Sequence, residues 1–259
     1  MSVIVNDIKK TFLLSKKQMK INKTTSNLKV AVDGVSFEAK EGEVFGLLGP
    51  NGAGKTTTLR CISTLIKPDK GTILVNGISI EDEIKCKRQI GFLTNEIKIE
   101  EQMTPNYAIH YFGRFYNMSY EQIEQRKDEL FKIFGVDKFQ EVKIGDLSTG
   151  MKQKVSIVVS LIHNPDVIIF DEPTNGLDVL TAKVVTDYLE ELAKNGKTVI
   201  ISTHIMSLAA KICDRIGIII NGKIVVQDSL SNIYQTFDCN DLEDIFFDLY
   251  KKEVGEELC

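Results

Sequence analysis

The chain has 259 residues, enough for one large α/β domain or two small ones. Its residues are 43% hydrophobic and 26% charged, a composition typical of globular proteins. Its formal net charge of −4 gives no support to a partner nucleic acid held by phosphate contacts. The longest apolar runs fall well short of the roughly 18 residues that span a bilayer, and no secretory signal pattern is present, so we expect a cytosolic protein that forms no membrane pore by itself.

The N-terminal part has the pattern of strands and turns around a single helix. Residues 3–8 and 30–37 alternate apolar and polar side chains, as half-buried strands do. Between them, residues 14–29 include Lys16, Lys17, Lys20 and Lys23, a charge run typical of a solvated hairpin loop, with a binding patch as the alternative. Residues 43–48 form a short apolar strand, and residues 55–66 repeat apolar side chains at helical spacing until a Lys-Pro-Asp stop signal.

The rest of the chain divides into a helical stretch and a stretch in which strands and helices alternate. Helical periodicity dominates from residue 95 to about residue 165, with helices predicted at residues 107–116 and 123–134. Beyond it the pattern predicts strands at residues 167–170, 198–202, 216–220 and 224–226, helices at residues 180–194 and 205–214, and an amphipathic helix within 240–254. Alternation of this kind indicates a mostly parallel sheet with helices on its faces.

A glycine-rich loop after the strand at residues 43–48 fits the phosphate-binding pattern G-x-x-x-x-G-K-[ST]. Its glycines let backbone N–H groups turn toward phosphates at the positive end of the following helix. Lys55 adds a point charge, and the Thr56 hydroxyl is placed to coordinate Mg²⁺. The predicted ATP-binding residues here are Gly49, Pro50, Asn51, Gly52, Ala53, Gly54, Lys55, Thr56 and Thr57.

Two acidic residues follow the apolar strand at residues 167–170. A carboxylate at the carboxyl end of a parallel strand lies where ligands bind, so we expect Asp171 to hold the Mg²⁺ hydration shell. Glu172 is the predicted catalytic base, oriented differently and able to polarise an attacking water. Together with the phosphate-binding loop, the pair indicates a nucleotide hydrolase.

Three further segments give the chain a family resemblance. Residues 147–154 (Leu-Ser-Thr-Gly-Met-Lys-Gln-Lys) resemble the signature motif of ATP-binding-cassette (ABC) ATPases. Residues 173–178 (Pro-Thr-Asn-Gly-Leu-Asp) resemble the D-loop of that family, and residues 202–204 (Ser-Thr-His) resemble its switch histidine. The order of all five motifs matches the family over nearly the whole chain.

The resemblance implies a head-to-tail dimer with a second ATP-binding subunit, in which Ser148 and Gly150 contact the γ-phosphate bound by the partner's loop. For Ser148 a plain helix N-cap is the structural alternative, and both roles are compatible. The resemblance further implies that Asp178 contacts nucleotide at the dimer interface and that His204 senses the γ-phosphate as a second catalytic residue.

The chain departs from the family pattern at several positions. The signature has Thr149 and Met151 where the family has Gly and Gln. The family commonly has Gln where this chain has Asn95, which we expect to serve as a metal-sensing residue, with a turn cap as the alternative. The resemblance also implies an aromatic residue that stacks on adenine; Phe12 is the candidate, and a buried core Phe is the competing interpretation.

These motifs predict an α/β fold: a P-loop NTPase (RecA-like) core with an N-terminal antiparallel β region and an inserted helical subdomain. Within one ABC ATPase domain, we place the β region and the first part of the core at residues 1–94. The helical subdomain with the signature follows at 95–165, the second part of the core at 166–235 and a helical tail at 236–259.

The resemblance implies an ATPase that needs ATP and Mg²⁺, with a separate membrane permease as its partner. Residues 242–246 and 90–95 look like those of export-type ATPases of the NatA sodium-extrusion and drug-export group. We therefore expect a subunit peripheral to the inner face of the cell membrane that drives an exporter. The alternatives are a soluble ABC ATPase acting on nucleic acid or a scaffold, and a regulatory module without turnover, against which Glu172 and His204 argue.

Overall fold

The computed structural model describes residues 2–21, 25–94 and 99–255. The strands are β1 (Ser2–Leu13), β2 (Leu28–Lys40), β3 (Val44–Leu48), β4 (Lys70–Val75), β5 (Ile78–Ser79), β6 (Ile90–Leu93), β7 (Val167–Asp171), β8 (Thr198–Thr203), β9 (Arg215–Ile220) and β10 (Lys223–Ser229). The helices are α1 (Lys16–Ile21), α2 (Lys55–Ile62), α3 (Glu83–Gln89), α4 (Pro105–Phe115), α5 (Tyr120–Phe134), α6 (Thr149–Leu161), α7 (Val179–Lys194), α8 (Met206–Ile212), α9 (Leu230–Phe237) and α10 (Leu242–Val254). The predicted α/β fold is confirmed.

Two sheets form the framework. One is antiparallel, with the order β2-β1-β4-β5; the other has the order β10-β9-β3-β8-β7-β6, in which β10 alone runs antiparallel to its neighbour. Strand β8 lies between β3 and β7, and the register pairs Leu48 with Thr203 and Asp171 with Ser202. The carboxyl ends of these three strands therefore meet at one edge of the sheet, where ligands bind in open α/β folds.

Strand β7 is buried along its whole length because both faces of the parallel sheet are covered. Val167 and Ile169 belong to a core shared with α2 and the antiparallel sheet. Ile168 and Phe170 belong to a second core, which is built with the helices on the other face. Burial on both faces explains why this strand is continuously apolar rather than alternating.

A helical insertion lies between β6 and β7. Over its described part, from residue 99 onward, the chain forms α4, α5 and α6 with two short 3-10 helices and no strand. Helix α5 begins at a capping box between Ser119 and Gln122 and ends at Gly135 in the left-handed region. The inserted helices agree with the predicted fold class, whereas the domain boundaries stay predictions.

The predicted elements are wrong in detail at four places. The described residues of the N-terminal part form three helices instead of one. Helix α1 lies inside the predicted hairpin loop and begins at reciprocal Ser15–Gln18 hydrogen bonds of 2.8 and 3.3 Å. Helix α3 begins where the Asp82 side chain accepts from the Lys85 N–H. Helix α2 ends at Ile62 instead of residue 66, because Thr64 turns into the left-handed region at φ 59°. Helix α9 was not predicted.

The C-terminal helix α10 packs against α8 and β9. Its buried side chains Leu242, Ile245 and Leu249 form one face, which confirms the predicted amphipathic pattern. None of the helices in the described ranges has both the length and the hydropathy that crossing a bilayer requires.

His163 joins the helical insertion to the parallel sheet just after α6. Its ring stacks on Tyr116 with centroids 3.8 Å apart, and Nε2 lies 3.1 Å from the carbonyl oxygen of Ile90. A carbonyl only accepts, so Nε2 carries the proton of the neutral ring. Burial lowers the pKa of His163 from 6.5 to about 4.

We expect this histidine to make the protein sensitive to mild acid. Between pH 6.5 and about 4, His163 is protonated in the unfolded chain but stays neutral in the folded chain. The free energy of unfolding therefore decreases as the pH falls through this window. The loss is at most about 3 kcal/mol from this residue. In His163→Phe, which keeps the ring stack, urea unfolding should show a flatter dependence on pH. Equal slopes for variant and parent would contradict the assignment.

Candidate functional site

The predicted phosphate-binding loop lies between β3 and α2, held by close backbone contacts. At Gly54, where φ is 112°, an added Cβ would lie 2.4 Å from the carbonyl oxygen of Ala31. At Gly49, an added Cβ would lie 2.2 Å from the carbonyl oxygen of Ile219. Both distances are too short for any side chain. Glycine is therefore required at these two positions by contact with β2 and β9.

The turn between β9 and β10 also holds the loop. The Gly222 N–H donates to the carbonyl oxygen of Ala53 at 2.8 Å, and the Gly222 carbonyl accepts from the Asp33 N–H at 2.8 Å. Inside the loop, the Ala53 N–H donates to the Pro50 carbonyl at 3.2 Å. The loop is thus hydrogen-bonded to the parallel sheet and, through the same turn, to β2.

Lys55 begins α2 and is buried beneath the loop. Its Nζ donates to the carbonyl oxygens of Gly49 at 2.7 Å and Pro50 at 3.2 Å, and it lies 3.6 Å from Oε1 of Glu172. Burial lowers the pKa of Lys55, while the nearby carboxylates of Glu172 and Asp171 act in the opposite direction. A buried lysine at a helix N-terminus provides the cationic centre that phosphates require.

Asp171 and Glu172 follow one another at the end of β7 but point into different surroundings. Asp171 is buried, and one of its carboxylate oxygens, Oδ1, accepts a hydrogen bond from the hydroxyl of Ser202. Glu172 adopts a φ of 51°, unusual for a residue with a side chain. The backbone at Glu172 therefore turns its carboxylate away from the direction that β7 would give it.

Glu172 lies between two basic groups. Its Oε1 is 3.6 Å from Nζ of Lys55 and 2.9 Å from Nδ1 of His204. The His204 side chain is partly exposed, whereas Glu172 is largely buried, so the carboxylate sits at the inner end of an opening to solvent. The two predicted catalytic residues are therefore in direct contact, and Glu172 also lies beside the lysine of the loop.

A cavity of about 250 Å³ opens beside the loop. Phe12 lines it and is half-buried, outside both hydrophobic cores, so the competing interpretation of Phe12 as a buried core residue is wrong. Lys29, opposite Phe12 across the β1–β2 pair, also lines it. The other lining residues are Ala31, Asn51, Gly52, Gly54, Lys55, Thr56, Thr57 and Glu172.

Ser148, Gly150 and Asp178 are not among the residues described around this cavity. Ser148 is exposed and caps α6 by accepting from the Met151 N–H at 3.3 Å, and an added Cβ at Gly150 would meet nothing within 4 Å. Asp178 is exposed and caps α7 at the Leu180 and Thr181 N–H groups, which lowers its pKa. The predicted N-cap at Ser148 is thus present, and the helix start has open space for a ligand.

The predicted metal ligands fit Mg²⁺ by their chemistry. Hydroxyl and carboxylate oxygens are hard donors, and Mg²⁺ typically takes one or two carboxylates together with substrate phosphates and water. Thr56 lines the cavity, and Asp171 keeps its Oδ2 clear of the Ser202 hydrogen bond. The third predicted ligand, Asn95, lies outside the described residues.

Sequence reasoning missed Ser202 as a member of the site, although it stands in the Ser-Thr-His segment. Its hydroxyl connects the two acidic residues: it donates to Asp171, and it lies 3.2 Å from the Glu172 N–H. The signal was available, because a parallel register that aligns the ends of β7 and β8 places Asp171 beside Ser202.

Residues 32–175, more than half of the chain, match the protein family described as ABC transporter. The chain belongs to this family. The ABC transporter ATP-binding protein NatA of Bacillus subtilis is 38% identical over 218 residues, covering 83% of this chain and 89% of NatA. The Nod factor export ATP-binding protein I of Burkholderia lata is 36% identical over 200 residues, covering 77% of this chain and 66% of that relative.

A solved structure extends the likeness to the fold. The dimeric, post-hydrolysis ATP-binding cassette MJ0796, bound to ADP and Pi, superposes with a TM-score of 0.77 at 28% identity, covering 88% of this chain and 98% of MJ0796. The chain therefore has the P-loop NTPase fold of the ABC cassette. It is an ATP-binding, ATP-hydrolysing subunit of the ABC transporter family.

Substitution of Gly54 tests the close contact at the loop. In Gly54→Ala, the methyl group would meet the Ala31 carbonyl at 2.4 Å in a left-handed backbone. We expect a loss of about 2–4 kcal/mol of stability and at least about tenfold weaker ATP binding. Gly77→Ala, which has φ 77° but open space, is the control, with a loss of about 1 kcal/mol from backbone strain alone. Equal thermal unfolding midpoints for the two variants would show that the contact does not matter.

Proposed function

We propose that this ABC ATPase is the motor of an exporter. Two copies, head to tail, would enclose two ATP molecules with Mg²⁺ and drive a separate membrane permease from the inner face of the cell membrane. The observation that carries the hydrolytic part of the proposal is the placement of the Glu172 carboxylate between Lys55 and His204 at the phosphate-binding loop. A binding module without turnover has no need of a carboxylate in that position.

The hydrolytic step follows from this arrangement. ATP phosphates entering the loop replace the Gly49 and Pro50 carbonyls and Glu172 as partners of the Lys55 ammonium. Mg²⁺, held through Thr56 and Asp171, would neutralise charge on the phosphates. Glu172, released from Lys55, would accept a proton from the water that attacks the γ-phosphorus, while the bond between this phosphorus and the bridging oxygen breaks and ADP leaves. His204, which contacts the same carboxylate, would reach the γ-phosphate.

A second copy of the chain would complete the site. Ser148 and Gly150 lie at the exposed N-terminus of α6, where N–H groups and the helix dipole favour an anion. Because these residues are not at their own chain's cavity, a γ-phosphate held by another copy is the anion that fits. The dimeric relative MJ0796 with ADP and Pi supports this arrangement.

Glu172→Gln tests the catalytic assignment. The amide cannot accept the water proton, so hydrolysis should fall by about 10²–10⁴-fold while ATP binding persists. ATP should then hold two copies together, and gel filtration should show a dimer only with ATP. The control is Glu191→Gln, which neutralises an exposed carboxylate on α7. Parental turnover in Glu172→Gln would assign the base elsewhere.

The surface suited to the permease is an apolar groove between α4 and the core. This groove has a volume of about 480 Å³ and includes Ile84, Phe92, Phe112, Phe115 and Tyr116. Two of its side chains are unusually exposed for apolar residues, Ile84 at 70% and Phe115 at 74%. Lys87 and Arg88 lie at the same groove. It therefore suits an amphipathic segment of a membrane protein that carries acidic side chains.

Charge substitutions in the groove test this partner. Phe115→Asp and Ile84→Asp should each reduce the stimulation of ATP hydrolysis by reconstituted permease at least about tenfold, because a carboxylate would be buried on docking. The control is Phe247→Asp on α10, an exposed apolar residue on another surface. Full stimulation of both groove variants would place the permease elsewhere.

The direction of transport is inferred from the relatives. One relative is named Nod factor export ATP-binding protein I, a name that describes an exporter. The C-terminal helix of this chain carries the segment that resembles export-type ATPases. Identification of the membrane protein that copurifies with the chain, followed by transport in vesicles, tests the direction. Purification with no membrane partner and with nucleic acid instead would favour the alternative of a soluble ABC ATPase.

A further inference from the structure

Ser202 lies next to both acidic residues of the site without lining the cavity. It is fully buried on β8, directly opposite Asp171 in the register of the parallel sheet. Its hydroxyl donates to Oδ1 of Asp171 and accepts from the Glu172 N–H at 3.2 Å. Its carbonyl oxygen accepts from the same N–H at 3.1 Å.

These hydrogen bonds constrain Asp171. A carboxylate with 6% exposure has little water around it, so its orientation depends on its protein partners. With Oδ1 bound to the Ser202 hydroxyl, Oδ2 is the oxygen left for a metal or for a metal-bound water. Loss of the hydroxyl would leave Oδ1 buried without this partner and the carboxylate free to rotate.

The same hydroxyl also constrains Glu172. A φ of 51° is unfavourable for a residue with a side chain, and it persists only where surrounding contacts hold it. The Glu172 N–H is held by two oxygens of one residue, the Ser202 carbonyl and hydroxyl. This backbone turn is what directs the Glu172 carboxylate to Lys55 and His204.

We propose that Ser202 is a positioning residue whose hydroxyl orients the Asp171 carboxylate and, together with the Ser202 carbonyl, holds the Glu172 backbone. The inference rests on the roles proposed above for Asp171 and Glu172. Ser202 does not touch the reacting atoms; it acts through the orientation of Asp171 and the backbone of Glu172.

The test measures Mg²⁺ binding separately from turnover. In the non-hydrolysing Glu172→Gln protein, a fluorescent ATP analogue is bound without metal and Mg²⁺ is then titrated. Adding Ser202→Ala should raise the half-saturating Mg²⁺ concentration about 10–100-fold, the usual effect of removing a partner of a metal ligand. The affinity for the analogue in EDTA should not change, because Lys55 and the loop do not contact Ser202. With Glu172 intact, Ser202→Ala should also lower kcat.

A pair of variants isolates the hydroxyl from its packing. Ser202→Thr and Ser202→Val have nearly the same shape, and only the first keeps the hydrogen-bond donor. Mg²⁺ affinity close to the parent in Ser202→Thr and weakened in Ser202→Val supports the proposal, even if Ser202→Ala fails to fold. The same Mg²⁺ affinity in both variants overturns it.

Two controls complete the design. Thr186→Val removes another buried hydroxyl, which donates to the Lys183 carbonyl at 2.9 Å on α7, and should leave Mg²⁺ binding unchanged. Asp171→Asn tests the underlying metal site. If Asp171→Asn weakens Mg²⁺ binding and neither Ser202→Ala nor Ser202→Val does, the positioning role is wrong while the proposed function stands. If Asp171→Asn has no effect, the metal site itself is wrong.

Discussion

The phosphate-binding loop depends on close contacts between its own backbone and the backbone of two neighbouring strands. At Gly49 and Gly54 the chain runs so close to the carbonyls of Ile219 and Ala31 that no Cβ would fit. This contact fixes the loop between a strand of each sheet, and it sets where α2 begins. The positions of Lys55, Thr56 and the helix N-terminus follow from it, since all three lie immediately beyond Gly54.

Opposite charges inside the site stabilise one another before any substrate arrives. Lys55 is buried, which disfavours its charged form, and the carboxylates of Glu172 and Asp171 offset part of that cost. Glu172 in turn contacts His204 as well as Lys55. Arrival of a polyanion therefore means an exchange of partners for Lys55. In the proposed mechanism, occupation of the loop would release the Glu172 carboxylate, because the bound phosphates and this carboxylate share Lys55 as a partner.

Much of this site could be predicted from the sequence because its motifs are local. The loop at residues 49–56, the acidic pair and the Ser-Thr-His segment each sit where a strand ends, and strand periodicity is a strong signal. The short helices α1 and α3 were missed because each rests on one or two capping hydrogen bonds rather than on an apolar face. Capping of this kind is easily overlooked in a lysine-rich stretch.

Other features depend on contacts between distant parts of the chain. Phe12 lines the cavity because β1 pairs with β2, and a local sequence pattern does not predict this pairing. The role of Ser202 depends on the register between β7 and β8, which are separated by α7. Likewise, the two contacts of Glu172 Oε1 join Lys55 of α2 with residues that follow β7 and β8, from three separate parts of the sequence. These distances are set by the folded arrangement of the strands, so no local sequence pattern predicts them.

The hydrogen bond from Gly222 to Ala53 gives the loop a built-in reporter. The Gly222 amide can exchange its hydrogen with deuterated solvent only when this bond opens, and opening separates the β9–β10 turn from the loop. Exchange at one backbone position thus measures how often the loop leaves its place on the sheet. A probe of this sort needs no attached reporter group and no substitution, and it compares the apo and nucleotide-bound protein on the same scale.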